Sequence, residues 1–325
     1  MTILVRTSER MTFTTCRQKW YWSWVENLKP LEEDVKLKFG GLVHQALAIY
    51  YKPGRKRGPL PAETFEHLAA ATLDPHTRIW SDDEIEDLVD LGVRMLEGYV
   101  EKWKSADSEY SIISSEQVFH VPIGHVLGER IVAVGTVDGV WRHLPTGKIR
   151  FAEHKTAASI SHDMLPMDEQ IGSYWAFAPK WLQKNGVLKA GEQIDGILMN
   201  WLRKAAPDMS KARDAQGHIL NKDGSVSKRQ PPPYFDRKNT FRGSVEAARV
   251  RLRTKQQARD MIMARKDPLR YVYKNPGPQF MPNCKFCSFR DPCELHETGH
   301  DYQTMFDAGY KVWDPYAEHE LPERL

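Results

Sequence analysis

Alternation of apolar and polar positions is clearest over residues 131–156, which read IVAVGTVDGVWRHLPTGKIRFAEHKT. Two apolar-rich runs flank Pro145-Thr146-Gly147, and proline and glycine are turn formers, so the pattern predicts an antiparallel β-hairpin. Side chains alternate faces along a strand. Asp138 is expected to share a face with Val132, Val134, Thr136 and Val140, and Glu153 and Lys155 a face with Ile149 and Phe151. A hairpin symmetric about the Pro145–Thr146 bond sets Asp138 directly opposite Glu153.

Helical spacing accounts for much of the remainder. Residues 11–27 read as a short helix starting near Thr14 or Thr15, dense in Trp and Tyr and carrying Cys16. Residues 39–52 follow as a helix whose apolar side holds Leu42, Val43, Ala46, Leu47, Ile49 and Tyr50, with His44 beside Gly40 and Gly41. Further helices are expected over 62–73 and 83–104, the second with an acidic start that suits a helix N-terminus. A strand over 111–121 leads into the hairpin, and its Glu116 is a further candidate acidic group. Residues 168–184 read as a helix that Pro179 kinks or ends, with Gln170 and Tyr174 four apart on one face. Residues 193–203 read as a buried strand, and 204–240 as an exposed, basic hairpin or flap with a turn at 221–224. A long helix over 244–266 spreads its Arg and Lys residues around its circumference.

The 325 residues, 41% hydrophobic and 27% charged, suit a globular chain, and a net charge of +3 names no partner. No apolar stretch is long enough to span a bilayer, and the first residues lack a signal-peptide core, so a cytosolic location is expected. The cysteines are Cys16, Cys284, Cys287 and Cys293. In a reducing compartment such a set points to metal rather than disulfides.

Chemistry enters with the opposed carboxylates. Like charges across a strand pair repel, and burying an unpaired carboxylate is expensive. A divalent cation offsets both. Lys155, two residues beyond Glu153, points into the same place, and the set suggests metal-assisted phosphodiester chemistry. A surface hairpin with one salt bridge is the plainer alternative. The Cys-x2-Cys-x5-Cys spacing at 284–293 is a strong metal signal. Zinc and an iron–sulfur cluster each take four ligands, and Cys16 is the one cysteine left.

The motifs run Cys16, His44 in GGLVHQAL, Asp138 in GTVDGV, Glu153-His154-Lys155, Gln170-x3-Tyr174, then the three late cysteines. This order resembles the RecB-like branch of the PD-(D/E)xK nucleases. In particular it is similar to members with an iron–sulfur staple: CRISPR-associated RecB-like exonucleases, the AddB nuclease domain and phage relatives. The resemblance implies an α/β, restriction-endonuclease-like core, a central mixed sheet flanked by helices. It implies Mg²⁺ or Mn²⁺ held by His44, Asp138, Glu153 and the backbone carbonyl of His154. Lys155 would orient the attacking water, and Gln170 and Tyr174 would position DNA. The four cysteines would hold a structural [4Fe–4S] cluster, with zinc as the alternative. Glu153 stands where Asp is common in the family.

The implied substrate is single-stranded DNA or DNA ends, with a helicase or recombination partner to be considered. A catalytically silent DNA-binding subunit of a recombination or helicase–nuclease complex and a zinc-stapled structural protein are the rival readings. The expected organisation is one nuclease domain over 1–325. Residues 1–38 and 274–325 form its cluster-binding part, 39–203 its catalytic core, 204–243 an insertion and 244–273 a basic helix.

Overall fold

A computed structural model describes residues 2–31, 35–73, 81–206, 210–214, 218–279 and 282–319. Parts of the expected insertion (207–209 and 215–217), of the cysteine segment (280–281) and of the C-terminal part (320–325) lie outside the described residues. The chain begins β1 (Thr2–Val5), α1 (Thr7–Thr15), α2 (Arg17–Trp20), a π-helical turn over Tyr21–Val25 and β2 (Leu28–Pro30). Helices α3 (Val35–Tyr50), α4 (Pro61–Thr72) and α5 (Asp82–Asp107) precede β3 (Tyr110–Val126), β4 (Glu129–His143) and β5 (Ile149–Ala157). Then come α6 (Glu169–Lys184), β6 (Ile194–Arg203), β7 (Phe235–Thr240), α7 (Ser244–Lys266) and α8 (Pro268–Tyr271). The chain closes with α9 (Arg290–Thr298), α10 (Gln303–Gly309) and β8 (Tyr310–Val312). No described helix is long and apolar enough to cross a membrane.

The central sheet is mixed, in the order β1-β4-β5-β6-β7, with β3 also paired to β4. β1 lies parallel to β4 and β5 parallel to β6, while the other pairs are antiparallel. Alternation along the strands buries both faces. Ala152 and Leu198 pack under α3, α4 and α5, with Trp141 and Tyr99. Phe151 and Ile197 pack on the other side under α6 and the start of α7, with Phe177 and Val250. A third cluster joins β1 and α1 to the later turns of α7 through Phe13, Trp20, Met261 and Ile262.

The sheet with its flanking helices matches the α/β layout expected. The hairpin, α4, α5, β6 and α7 stand where the pattern places them, with α5 capped by a Ser81–Glu84 capping box. Four expectations need correction. The first helix starts at Thr7, not near Thr14 or Thr15, and stops where Cys16 turns extended (φ −157°, ψ 114°). Its polar start hid it, because Glu9 and Arg10 are buried there by pairing rather than by apolarity. Glu9 accepts from Trp20 and Arg265, and Arg10 donates to Gln257 and Ser173. Pro179 does not end α6, which runs on to Lys184; Arg251 donates two bonds to the Ala176 carbonyl in the turn before the proline. The expected insertion ends in β7, a strand of the central sheet on the edge of β6, whose polar sequence FDRKNT carries no alternation signal. β1 ties the N-terminal end to the sheet, where no element was expected.

Gly92 of α5 faces Phe65 of α4, and a Cβ there would overlap the phenyl ring. Phe65 is fully buried and has no room to swing aside. Alanine ordinarily strengthens a helix, but overpacking a core costs about 1–3 kcal/mol. Gly92→Ala is therefore expected to lower the denaturant midpoint; a raised midpoint would contradict this packing.

Candidate active site

The β4–β5 ladder pairs Gly139 with Ala152, Val140 with Phe151, Trp141 with Arg150 and Arg142 with Ile149. This is the register of a hairpin symmetric about the Pro145–Thr146 bond, and one step further it sets Asp138 across from Glu153. At that step the ladder stops. The His154 peptide N–H instead donates to Asp138 Oδ2 at 2.7 Å. The expected shared face is corrected here. Val137 and Val140 both pack under α6, although strict alternation would place residues three apart on opposite faces. The alternation of β4 thus slips by one between Val137 and Val140, so Val140 does not share a face with Thr136, Val134 and Val132.

The partner strand is irregular at the same place. Ser115 pairs with Gly139 and Gln117 with Val137, so Glu116 stands across from Asp138. Its φ of 44° is left-handed, which is uncommon for a residue other than glycine. Helix α3 crosses nearby, with Gly40 close to Thr156 of β5. It delivers His44, whose Nδ1 lies 3.4 Å from Asp138 Oδ2. His44, Glu116 and Asp138 each offer a ligand atom within 4.8 Å of the others. Glu116, expected only as a further acidic group, is therefore brought beside His44 and Asp138.

Glu153 is buried, with a relative exposure of 1%, and neither of its oxygens has a hydrogen-bond partner. Lys155 Nζ lies 2.9 Å from Oε1, an ion-pair contact without hydrogen-bond alignment. Lys155 also donates to Gln170 Oε1, and Gln170 Nε2 donates to the Tyr174 hydroxyl at 2.5 Å. Asp168 caps α6 by accepting from the Ile171 N–H, which fixes the helix start that carries Gln170. Gln170 and Tyr174 are thus joined to Lys155 as one chain of side chains.

Charge follows this geometry. Burial pushes the Glu153 carboxyl up, and Asp138 pushes it further, to about 8. Asp138 goes the other way: burial opposes its ionisation, but His44 and the His154 peptide hold it below the usual range. Burial would lower His44, yet Asp138 outweighs it and raises the imidazole to about 9. Glu116 rises to about 7 through desolvation and Asp138, although much of its side chain is open to solvent. Burial would lower Lys155, but Glu153 outweighs it and holds the ammonium above its ordinary value. Without a cation, this site stores protons on groups that could serve as ligands.

The four cysteines come together as well. Cys16, Cys284, Cys287 and Cys293 line one cavity of about 360 Å³ with Trp22, Phe289 and Lys274. All four are free thiols. Burial, then the nearby Cys16 and Cys284 sulfurs, raise Cys293 to about 11. Sequence reading missed the buried polar residues behind the site, Tyr51, Tyr99, Asp107, Asn200 and Arg237. The one legible signal was Asn200, a lone amide inside the apolar run 197–202.

The fold and this hairpin define a nuclease class. A family model described as the PD-(D/E)XK nuclease superfamily matches residues 7–294, and the chain belongs to that superfamily. Its members are metal-dependent nucleases that usually use Mg²⁺ or Mn²⁺, with DNA as the implied substrate. A search of curated proteins finds no match.

A buried acid whose folded pKa lies above its unfolded value favours the fold at low pH and opposes it as pH rises toward that value. Glu153→Gln removes this acid, and with it the 2.9 Å contact to the Lys155 ammonium, so the variant's stability relative to the metal-free wild type is expected to gain with rising pH, by about 1–3 kcal/mol. The gain should grow between pH 5 and pH 8, read from denaturant unfolding in EDTA. A difference between variant and wild type that stays constant or shrinks across that window would contradict the account.

Proposed function

We propose that the chain is a DNA exonuclease that hydrolyses phosphodiester bonds of single strands or strand ends. The observation that carries this reading is the buried pair Asp138 and Glu153, the second without hydrogen bonds, beside a lysine anchored by Gln170. Hard oxygen donors plus one imidazole suit Mg²⁺ or Mn²⁺, and the imidazole favours Mn²⁺. His44, Asp138, Glu153 and the His154 carbonyl would hold the ion, with Glu116 as an additional oxygen donor. When bound, such a cation lowers the pKa of its water and neutralises charge on the phosphoryl oxygens.

The chain's own residues supply the rest. Lys155 keeps its proton at neutral pH, so it acts as a fixed positive charge toward the attacking water and the growing negative charge, not as a base. Gln170 and Tyr174 set the direction of the Lys155 ammonium and offer polar groups to the DNA. The choice of an exonuclease rests on the RecB-like order of the motifs, as does a helicase or recombination partner.

The cysteine cavity supports a second metal role. Four thiols around one space fit the donor set of a [4Fe–4S] cluster, which would join α2 to the segment before α9. Its role in this reading is structural. Cys284→Ser is expected to lose the brown colour of the holoprotein and to lower stability; a colourless wild type that retains four metal-bound thiolates would identify zinc instead.

Cleavage of end-labelled single- and double-stranded DNA tests the central role. With Mn²⁺ or Mg²⁺ the wild type is expected to shorten the substrate, and EDTA, Asp138→Ala or Lys155→Ala to reduce the rate at least about a thousandfold. Comparable cleavage by the folded Lys155→Ala variant would remove the assignment.

A further inference from the structure

His154 directs its peptide N–H along the sheet toward β4 and its ring onto the face covered by α3, where His44 lies 6.3 Å away between ring centroids. The peptide N–H binds Asp138, while the imidazole stacks on Tyr51 with centroids 5.5 Å apart and planes at 13°. Across the sheet, His154 pairs with Asn200 of β6, and Asn200 pairs with Arg237 of β7. Three adjacent strands therefore place three polar side chains in one row. Asn200 is fully buried and His154 nearly so.

The row is bonded end to end. Arg237 Nε donates to Asn200 Oδ1 at 3.0 Å, and Asn200 Nδ2 lies 2.6 Å from His154 Nδ1. An arginine can only donate, so the amide oxygen must face Arg237 and the amide N–H must face the imidazole. His154 Nδ1 is then the acceptor, which fixes the tautomer with its proton on Nε2. The far end is clamped by Asp107, whose Oδ1 accepts from Arg237 Nη1 at 2.5 Å. The Tyr99 and Tyr51 hydroxyls accept from Arg237 Nη2 at 2.9 and 3.1 Å. Tyr51 also donates to Asp107 Oδ2 at 2.7 Å.

Such a network is a poor way to gain stability. Replacing a buried ion pair by apolar side chains is often neutral or stabilising, whereas its geometry is highly directional. It reaches Asp138 through His154, whose peptide N–H donates to that carboxylate. We propose that Asn200 and Arg237 are positioning residues that hold the His154 peptide, and with it Asp138 and the His154 carbonyl, in the geometry that binds the divalent cation. The inference rests on the proposed metal reading of this site. It also couples β7, the strand that follows the polar 204–234 segment, to the catalytic hairpin.

Binding of Mn²⁺ alone, followed by electron paramagnetic resonance on the full chain, tests it. Outer-shell partners of metal ligands are worth about 10–100-fold in metal affinity, so Asn200→Leu is expected to weaken Mn²⁺ by at least about tenfold. The Mn²⁺ concentration for half-maximal cleavage should shift alike, while the rate at saturating Mn²⁺ recovers toward wild type. Met261→Ala, a core change in the cluster around β1, is expected to lose stability and keep the wild-type Mn²⁺ midpoint. Asn200→Asp keeps the size and the Arg237 contact but removes the donor to His154, and it is expected to weaken Mn²⁺ even if Asn200→Leu does not fold. Wild-type Mn²⁺ affinity in a folded Asn200 variant would overturn the inference and leave the nuclease reading standing. A wild type that binds no Mn²⁺ would overturn the metal reading itself.

Discussion

The structure depends on two carboxylates buried across from each other on neighbouring strands. Asp138 is stabilised as an anion by His44 and the His154 peptide, and that charge pushes Glu153 toward its protonated form. The first arrangement stabilises the charged pair, but the second does not: Glu153 is a buried acid whose one close charge is Lys155, and burial with Asp138 still drives it toward its protonated form. Buried groupings of this kind are enriched at functional sites.

The remaining elements are arranged to make that pair tolerable and usable. α3 crosses the hairpin and brings His44 from one side; α6 brings Gln170 and Tyr174 from the other to hold Lys155. The regular alternation of β3 and β4 is interrupted beside Asp138 and Glu116, where His44 arrives from α3. The row His154–Asn200–Arg237 fixes the peptide between the acid and the lysine. Away from the hairpin, the cysteine cavity joins the N-terminal helices to the segment before α9.

Much of this was legible in the sequence, for identifiable reasons. The hairpin register follows from its turn, and the observed ladder keeps it. α5 and α7 are long and have clear boundaries, so their positions could be read directly. The site residues were named from motif order, and His44, Asp138, Glu153, Lys155, Gln170 and Tyr174 are gathered around one hairpin. What escaped depends on tertiary pairing. Glu9 and Arg10 look like surface residues until Trp20, Arg265 and Ser173 meet them. β7 is polar because it sits at a sheet edge and turns the Arg237 side chain inward onto Asp107. Glu116 joins His44 and Asp138 through a left-handed backbone that no alternation rule anticipates.

The most direct test is to count protons released when Mn²⁺ binds, by calorimetric titration in buffers of different ionisation enthalpy. The account expects binding with net proton release near neutral pH, because Glu153 and His44 hold protons there that a cation displaces. That release should fall as the pH approaches about 9, where His44 titrates. Binding without proton release, or no binding at all, would contradict the claim that this buried pair is built to hold a metal ion.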